Sequence, residues 1–364
     1  MLFRSRINRQ PKTSSTEFLP TYFTAPDQAT LDGLSTSLAD INANTSFVPA
    51  FTTAGFKKSL VQFTPNGDSI YHGLATQITK RMSQGLQFIG SYTWSHTIDN
   101  STADVFSTVL TPRRGQDFQN IAADRSNSAL DRRHRFSLAL LYDVPYFQHN
   151  SNWAVKNVIG NWELAPVYTF QTGEWATVES NTDVNLNGDA AGDRTILNPA
   201  GIAGTGTGSS PLCTSSLPSF ASCGENDFDS TVGPPGPGNF DSRPFIVAYK
   251  ANSSTAQYVR ASAGARPDVG RNTLLTRPIN NFDVTAVKRI SITERFKVEF
   301  SANAFNVLNH PQFIPGLLND VASFGITATG VSNYLQPNTG VFNKPDQTFP
   351  SNARTLQLGL KFKF

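Results

Sequence analysis

Apolar and polar residues alternate with a period of two along several stretches of this chain. That spacing sends successive side chains of a β-strand to opposite faces. From Leu86 to Ser95 one face carries Leu86, Phe88, Gly90, Tyr92 and Trp94, and the other Gln87, Ile89, Ser91, Thr93 and Ser95. From Phe136 to Tyr146, Phe136, Leu138, Leu140, Tyr142, Val144 and Tyr146 share a face. Trp162, Leu164, Tyr168 and Phe170 alternate with Glu163, Ala165, Thr169 and Gln171, and Phe296, Val298, Phe300 and Ala302 with Lys297, Glu299, Ser301 and Asn303. The chain ends on Leu356, Leu358, Leu360, Phe362 and Phe364, interleaved with Gln357, Gly359, Lys361 and Lys363. Ile70–Lys80 and Phe282–Val287 are weaker members. Strands of globular proteins centre on about 5–6 residues, whereas these run about ten, enough for a tilted strand to cross a bilayer. Tyr92, Trp94, Tyr142, Tyr146, Trp162, Phe362 and Phe364 gather toward segment ends, as interfacial aromatic girdles do. A soluble sandwich alternates in the same way with shorter strands, so the pattern alone leaves both readings open.

The connections discriminate between them. Tight turns are expected around Ser83-Gln84-Gly85 and Thr293-Glu294, and a moderate one between Tyr146 and Trp162. Long connections fill Ser95–Arg135, Thr172–Asn281 and Leu308–Arg354. Short and long therefore alternate, which places every long loop at one end, as in outer-membrane barrels. The expected fold is all-β: a partial antiparallel transmembrane β-barrel of about 7–10 strands with long extracellular loops.

Composition agrees once that pattern is in view. Only 38% of the 364 residues are hydrophobic and mean hydropathy is −0.28. A barrel strand shows lipid only at every second position, so a membrane span fits inside a negative average. Lys plus Arg number 30 against 27 Asp plus Glu, too balanced to steer toward nucleic acid, and no nucleic-acid partner is expected. The opening MLFRSRINRQPKTSST lacks the apolar core of a secretory signal. Either the protein is intracellular or the chain begins inside something larger.

Candidate chemistry is sparse. Asp183, Asn185, Asn187 and Asp189 occupy positions 1, 3, 5 and 7 of a loop with Gly188 at 6, and Asp193 lies near the far end. Hard oxygens in that spacing suit Ca²⁺ in an extracellular loop, although Arg194 stands where an EF-hand has its bidentate Glu. The alternative is a loop stiffened by its own Asx turns. Cys213 and Cys223 have no His near enough for a zinc site. They make either a small disulfide-closed loop of an oxidising compartment or two free thiols. Arg113, Arg114, Arg125, Arg132, Arg133 and Arg135 suit lipopolysaccharide phosphates or an anionic ligand, or else pair with Asp117, Asp124 and Asp131. Gly204-Thr205-Gly206-Thr207-Gly208 lacks the Lys of a phosphate loop and reads as flexible loop. No nucleophile elbow or zinc-helix motif appears, so no enzymatic activity is expected. Gln87, Ser91, Thr93, Glu163, Gln171, Glu299 and Asn303 are the residues expected to hydrate a lumen.

Several motifs resemble one family. Tyr71-His72-Gly73-Leu74, Thr79-Lys80-Arg81 and Tyr92-Thr93-Trp94-Ser95-His96 are similar to the barrel of TonB-dependent outer-membrane receptors. The subgroup resembled is the Oar-like one, with a carboxypeptidase-regulatory-like domain. Its pattern is matched by Asp131-Arg132-Arg133-His134-Arg135-Phe136, Gly270-Arg271-Asn272, Phe305-Asn306-Val307-Leu308-Asn309-His310-Pro311 and the closing alternation. The resemblance implies a bacterial outer-membrane protein that takes up a bulky nutrient. Its partners would be outer-membrane lipid and lipopolysaccharide, and the outer-membrane assembly machinery through the terminal Phe364. Family members add a signal peptide, a TonB box, a plug and a 22-stranded barrel, none of which is legible here. The chain is therefore expected to be the C-terminal barrel portion (residues 66–364) after an incomplete region (residues 1–65), reaching TonB only through a missing N-terminal part. The other function class is a non-transport surface protein, a β-sandwich binding module or an adhesin.

Overall fold

The computed structural model describes residues 3–6, 18–43, 48–56, 60–101, 115–117, 120–188, 190, 192–224, 231–313 and 334–364. The alternating stretches form seven long strands: β1 (Ser69–Ser83), β2 (Leu86–Asp99), β3 (His134–Asp143), β4 (Trp162–Gln171), β5 (Ile279–Ser291), β6 (Lys297–Phe305) and β7 (Thr355–Lys363). Each pairs antiparallel with its neighbour in sequence, so the sheet is a simple meander from β1 to β7. It is open, with β1 and β7 as its edges. β3 stops at Asp143 rather than reaching Tyr146, because Pro145 has no N–H to give the ladder. β5 is longer than Phe282–Val287. There Asn280 and Lys288 interrupt the apolar pattern while the backbone pairing continues to β4.

Register fixes what each face shows. Leu74 lies opposite Trp94, Trp94 opposite His134, Phe136 opposite Phe170, Phe282 opposite Tyr168, Ala286 opposite Ala302, and Ala302 opposite Leu358. Partners across an antiparallel ladder share a face. Apart from the bulge after Lys80 in β1, even-numbered residues therefore line one side of the whole sheet and odd-numbered residues the other. The even face is apolar and aromatic, and the odd face carries hydroxyls, amides and charges.

The turns that keep this register are short. Gln84 and Gly85 both adopt positive φ (54° and 76°), the conformation a two-residue hairpin turn demands. A Cβ on residue 85 would lie 2.4 Å from the carbonyl oxygen of Asp143. Thr293 closes the other tight turn, its N–H donating to Phe296 O at 3.1 Å and its Oγ1 accepting from Phe296 N at 2.9 Å.

All three long connections leave from the opposite end and build a cap. Two small sheets organise it: Ile196–Leu197 and Ile202–Thr207 flank Ala256–Val259, and Ser209–Cys213 and Thr21–Tyr22 flank Ile246–Ala251. Gly204–Gly208 is therefore largely strand, not flexible loop. Gly206 is needed because Phe342 and Pro337 cross the strand within 2.6 Å of where a Cβ would sit. Helices Gln28–Asp32 and Leu38–Ala43 lay Leu31, Leu38 and Ile41 onto the same cores as residues 246–265. Among the described residues, every buried hydrophobic side chain belongs to the cap, to these N-terminal helices or to Leu19 ahead of them, and none to β1–β7. Cys213 and Cys223 are joined by a disulfide, with Cα atoms 5.9 Å apart, and pack against the cap core.

Buried charges tie cap to wall. Arg271 bonds the carboxylate and the carbonyl oxygen (2.7 Å) of Asp99 at the end of β2, and the carbonyl oxygen of Asp124 (2.9 Å). Arg194 pairs with the Asp124 carboxylate. The Asp131 carboxylate accepts from Thr97 N (2.8 Å), Trp175 Nε1 (3.3 Å) and Arg133 (3.3 Å). Asn306 turns the chain out of β6 with φ 49°, donating to the carbonyls of His310 and Asn352 at 2.9 Å.

Removing one member of a buried pair leaves the other uncompensated. Arg271→Met is therefore expected to destabilise the cap by about 3–5 kcal/mol, read as a lowered urea midpoint in tryptophan fluorescence. Arg243→Met, which breaks the surface pair with Asp241, should cost under about 1 kcal/mol. Replacing Cys213 and Cys223 together by Ser should cost about 2–4 kcal/mol and admit protease to residues 209–224 before the wall strands are cut.

Candidate functional site

The odd-numbered face is the surface with chemistry to offer. Gln87, Ser91, Thr93, Glu163, Gln171, Glu299 and Asn303 all lie on it, as their register partners dictate. They do not form one cluster. Ser91, Thr93 and Gln171 meet under the cap, Glu163 and Glu299 meet at the short-turn end, and Gln87 and Asn303 line the face between.

The upper group lines a cleft of about 490 Å³. Arg135 and Ser137 from β3, Thr169 and Gln171 from β4, and Ile279 and Asn281 from β5 form its floor, with Ser91 and Thr93 of β2. Gln312 and Asn352 reach in from the last long connection. The Arg135 guanidinium is aimed by two bonds to Gln171 Oε1, at 3.0 and 2.7 Å. Ser91 and Ser137 hydroxyls share a bond of 2.8 Å. Gln312 is buried and held by Asn280 N (2.5 Å) and, through its own N–H, by Asn352 Oδ1 (3.0 Å). Its polar groups are hydroxyls, amides and one guanidinium, set beside the apolar Phe170 and Ile279, with no carboxylate. Such a surface hydrogen-bonds a polar solute in many orientations without committing to a charge.

At the other end, three carboxylates surround one cation. Arg289 bonds Glu163 at 2.6 Å and approaches Asp143 at 3.4 Å and Glu299 at 3.5 Å, while Lys363 takes Glu299 at 2.9 Å. All of these but Glu163 line a second cleft of about 240 Å³ with Gln148, Lys156 and Asn161. Glu163 and Glu299 are expected in the lumen from the sequence; Lys363 and Asp143 fall only on the polar side of their alternating stretches, and Arg289 is added by the register. Their odd numbers were the available signal.

A third cleft, about 320 Å³, lies within the cap between Asp117, Asp124, Asn185, Arg194, Arg266 and Asp268. Burial pushes the Asp268 carboxyl above its ordinary range, against the opposing effect of a 2.7 Å bond from Leu197 N and the nearby Arg266.

The loop singled out for Ca²⁺ borders that cleft through Asn185. Asp183 Oδ2 accepts from Gly188 N (2.7 Å), Asn185 Oδ1 from Asn187 N (3.1 Å), and Asp193 Oδ2 from Val184 N (2.8 Å). Asn185 Nδ2 donates to Gln116 O at 2.7 Å. These are the bonds of a self-stiffened Asx loop. Asp189 lies outside the described residues, and among the described residues no group of three or more His, Cys, Asp or Glu is placed to hold a metal ion. Of the arginine group, Arg125 pairs with Asp68 (2.7 Å), Arg132 with Glu174 (2.5 Å) and Arg133 with Asp131 (3.3 Å). Arg113 and Arg114 lie outside the described residues.

The chain matches no curated protein and no solved structure. The family model of an outer membrane beta barrel domain matches residues 7–337, which takes in six of the seven wall strands and most of the cap. The chain belongs to that outer membrane beta barrel family, and its place is the bacterial outer membrane.

Proposed function

We propose that this chain supplies part of the wall and the outer cap of a TonB-dependent receptor, which captures a bulky polar nutrient outside the cell and passes it along the odd-numbered face. The observation that carries the reading is the cleft beneath the cap, with hydroxyl, amide and guanidinium groups of the wall on its floor and Gln312 and Asn352 as its roof. A path starts where a ligand held by the loops first meets the lumen. Resemblance to the Oar-like receptors names the transport class and assigns the energised step to a plug and TonB box outside this chain.

Strand direction supports the reading of a partial wall. β1 and β7 both run from the cap toward the short turns, since an even number of antiparallel reversals separates them. Pairing the two edges directly would make a parallel seam in an otherwise antiparallel sheet. An all-antiparallel barrel needs an odd number of further strands between them, consistent with the even strand totals of bacterial outer-membrane barrels.

Two measurements check the proposal. The full chain should extract from outer membranes only with detergent; a monodisperse monomer obtained without detergent would contradict a wall role. Cells carrying a receptor that includes this chain are then offered a panel of labelled nutrients too large for general porins. An uncoupler should abolish accumulation of the accepted nutrient and leave its surface capture intact, and Arg135→Ala with Gln171→Ala should reduce both. Accumulation indifferent to the uncoupler would indicate passive passage and overturn the TonB-dependent assignment.

A further inference from the structure

The motif Asp131–Phe136 carries three arginines, and one of them is placed unlike the others. Arg132 pairs with Glu174 (2.5 Å) and Arg133 with Asp131 (3.3 Å). Arg135 is exposed on the odd face at the cleft beneath the cap, and among the described residues no carboxylate pairs with it. Its register partners are Thr93 on β2 and Gln171 on β4. A Glu at the Gln171 position would neutralise the guanidinium; the amide does not.

The guanidinium is aimed but not used up. Nε and Nη2 both donate to Gln171 Oε1, at 3.0 and 2.7 Å, which commits one edge of the fork to a neutral oxygen. Nη1 and the second N–H of Nη2 have no partner among the described residues. That remaining edge has the spacing to donate two parallel bonds to one carboxylate. Around it the lumen face lies in two rows across the sheet: Thr93, Arg135, Gln171 and Ile279, then Ser91, Ser137, Thr169 and Asn281. The second row supplies hydroxyls and an amide, and Ile279 supplies an apolar side chain. Asp283, the next acid along β5, accepts from Asn281 Nδ2 (3.0 Å) and Asn306 N (2.7 Å) and does not line the cleft.

We propose that the cleft selects solutes that carry a carboxylate beside an apolar body. The carboxylate meets the open edge of Arg135, the body lies against Ile279, and Gln312 and Asn352 close over it from the cap. This deepens, and rests on, the reading of the cleft as the outer end of the solute path. One fixed cation sets the charge. A monoanion is balanced by Arg135 alone, whereas a phosphate dianion would bring a second charge to a cleft lined by no second cation. The neutral groups receive the rest of the solute in many orientations, so only its charged end is specified. Gln171 is a positioning residue: it holds the fork in place without competing for its charge.

A matched acid and amide separate charge from shape. Naphthaleneacetate and naphthaleneacetamide are titrated by calorimetry into the full chain in detergent, with micelles alone as the blank. The acid should bind about tenfold tighter than the amide, and inorganic phosphate should not displace it. Gln171→Glu, isosteric with the native side chain, should equalise the two affinities by neutralising Arg135 from within. Arg135→Gln should equalise them by removing the charge, so one poorly folded variant does not decide the outcome. Arg243→Met, which removes a cation from the cap surface, should leave the preference for the acid unchanged. Equal affinities in the native chain, displacement by phosphate, or a preference untouched by Gln171→Glu overturns the carboxylate selection, as does failure of the acid to bind at millimolar concentration. The uncoupler experiment fails separately. Energy-dependent accumulation without acid preference keeps the transport reading and removes this one, whereas acid preference without energy dependence does the reverse.

Discussion

The structure depends on one constraint: the even-numbered face of the seven-stranded sheet has no protein to pack against. Leu74, Ile78, Leu356, Leu358, Leu360 and Phe362 are exposed, and no residue of the sheet joins a buried hydrophobic core. In water this arrangement would forfeit about 25 cal/mol for each Å² of apolar surface left wet. In hydrocarbon the cost disappears, because the solvent is as apolar as the side chains. Every backbone group must then find its partner within the sheet, which the ladders provide except at the bulge after Lys80, opposite Pro166 of β4, and along the outer edges of β1 and β7. The strict parity of the register follows from the same constraint. A one-residue slip of β3, β4 or β5 would turn Arg135, Glu163 or Arg289, respectively, toward lipid.

The cap obeys the opposite rule. It meets water, so it folds as globular proteins do, with buried clusters around Val184, Val259 and Tyr334 and a disulfide at its margin. Joining two such solvents requires a seam, and the seam is polar. Asp99, Asp124, Asp131, Arg194 and Arg271 are buried there and bonded to one another, to backbone groups and, for Asp131, to Trp175 and Arg133. Buried ion pairs contribute little net stability but penalise mispairing heavily. At this seam that penalty holds the first two long connections in one arrangement at the end of β2.

That division explains what could be read from the amino acids alone. The wall was legible because lipid enforces a period of two on residues close in sequence; Leu86–Ser95 and the closing Leu-x-Leu-x-Leu-x-Phe show it plainly. β5 was faint because Lys288 is hidden by Trp162 and Gly160, partners no local pattern reveals. The lumen residues followed from parity once the strands were known, yet their separation into an upper cleft and a lower charge cluster needed the register. The cap was nearly illegible. Its strands are two to six residues long, too short for periodicity, and its core joins Leu38 to Val259 across more than half the chain. The motifs Asp131–Phe136, Gly270–Asn272 and Phe305–Pro311 stood out for resemblance, and their residues turn out to build the seam.

The two clefts on the odd face differ in a way that bears on direction. Beneath the cap the lining is neutral apart from Arg135, and its groups donate and accept without preference. At the short-turn end Arg289 is already engaged by three carboxylates, one of which also takes Lys363, so those charges are committed to each other. A polar solute entering from the cap finds hydrogen-bonding groups that are weakly committed, then groups that prefer one another. Such a gradient favours holding at the outer end and discourages retention at the inner one. If the chain passes a solute as proposed, capture and release fall at opposite ends of one face.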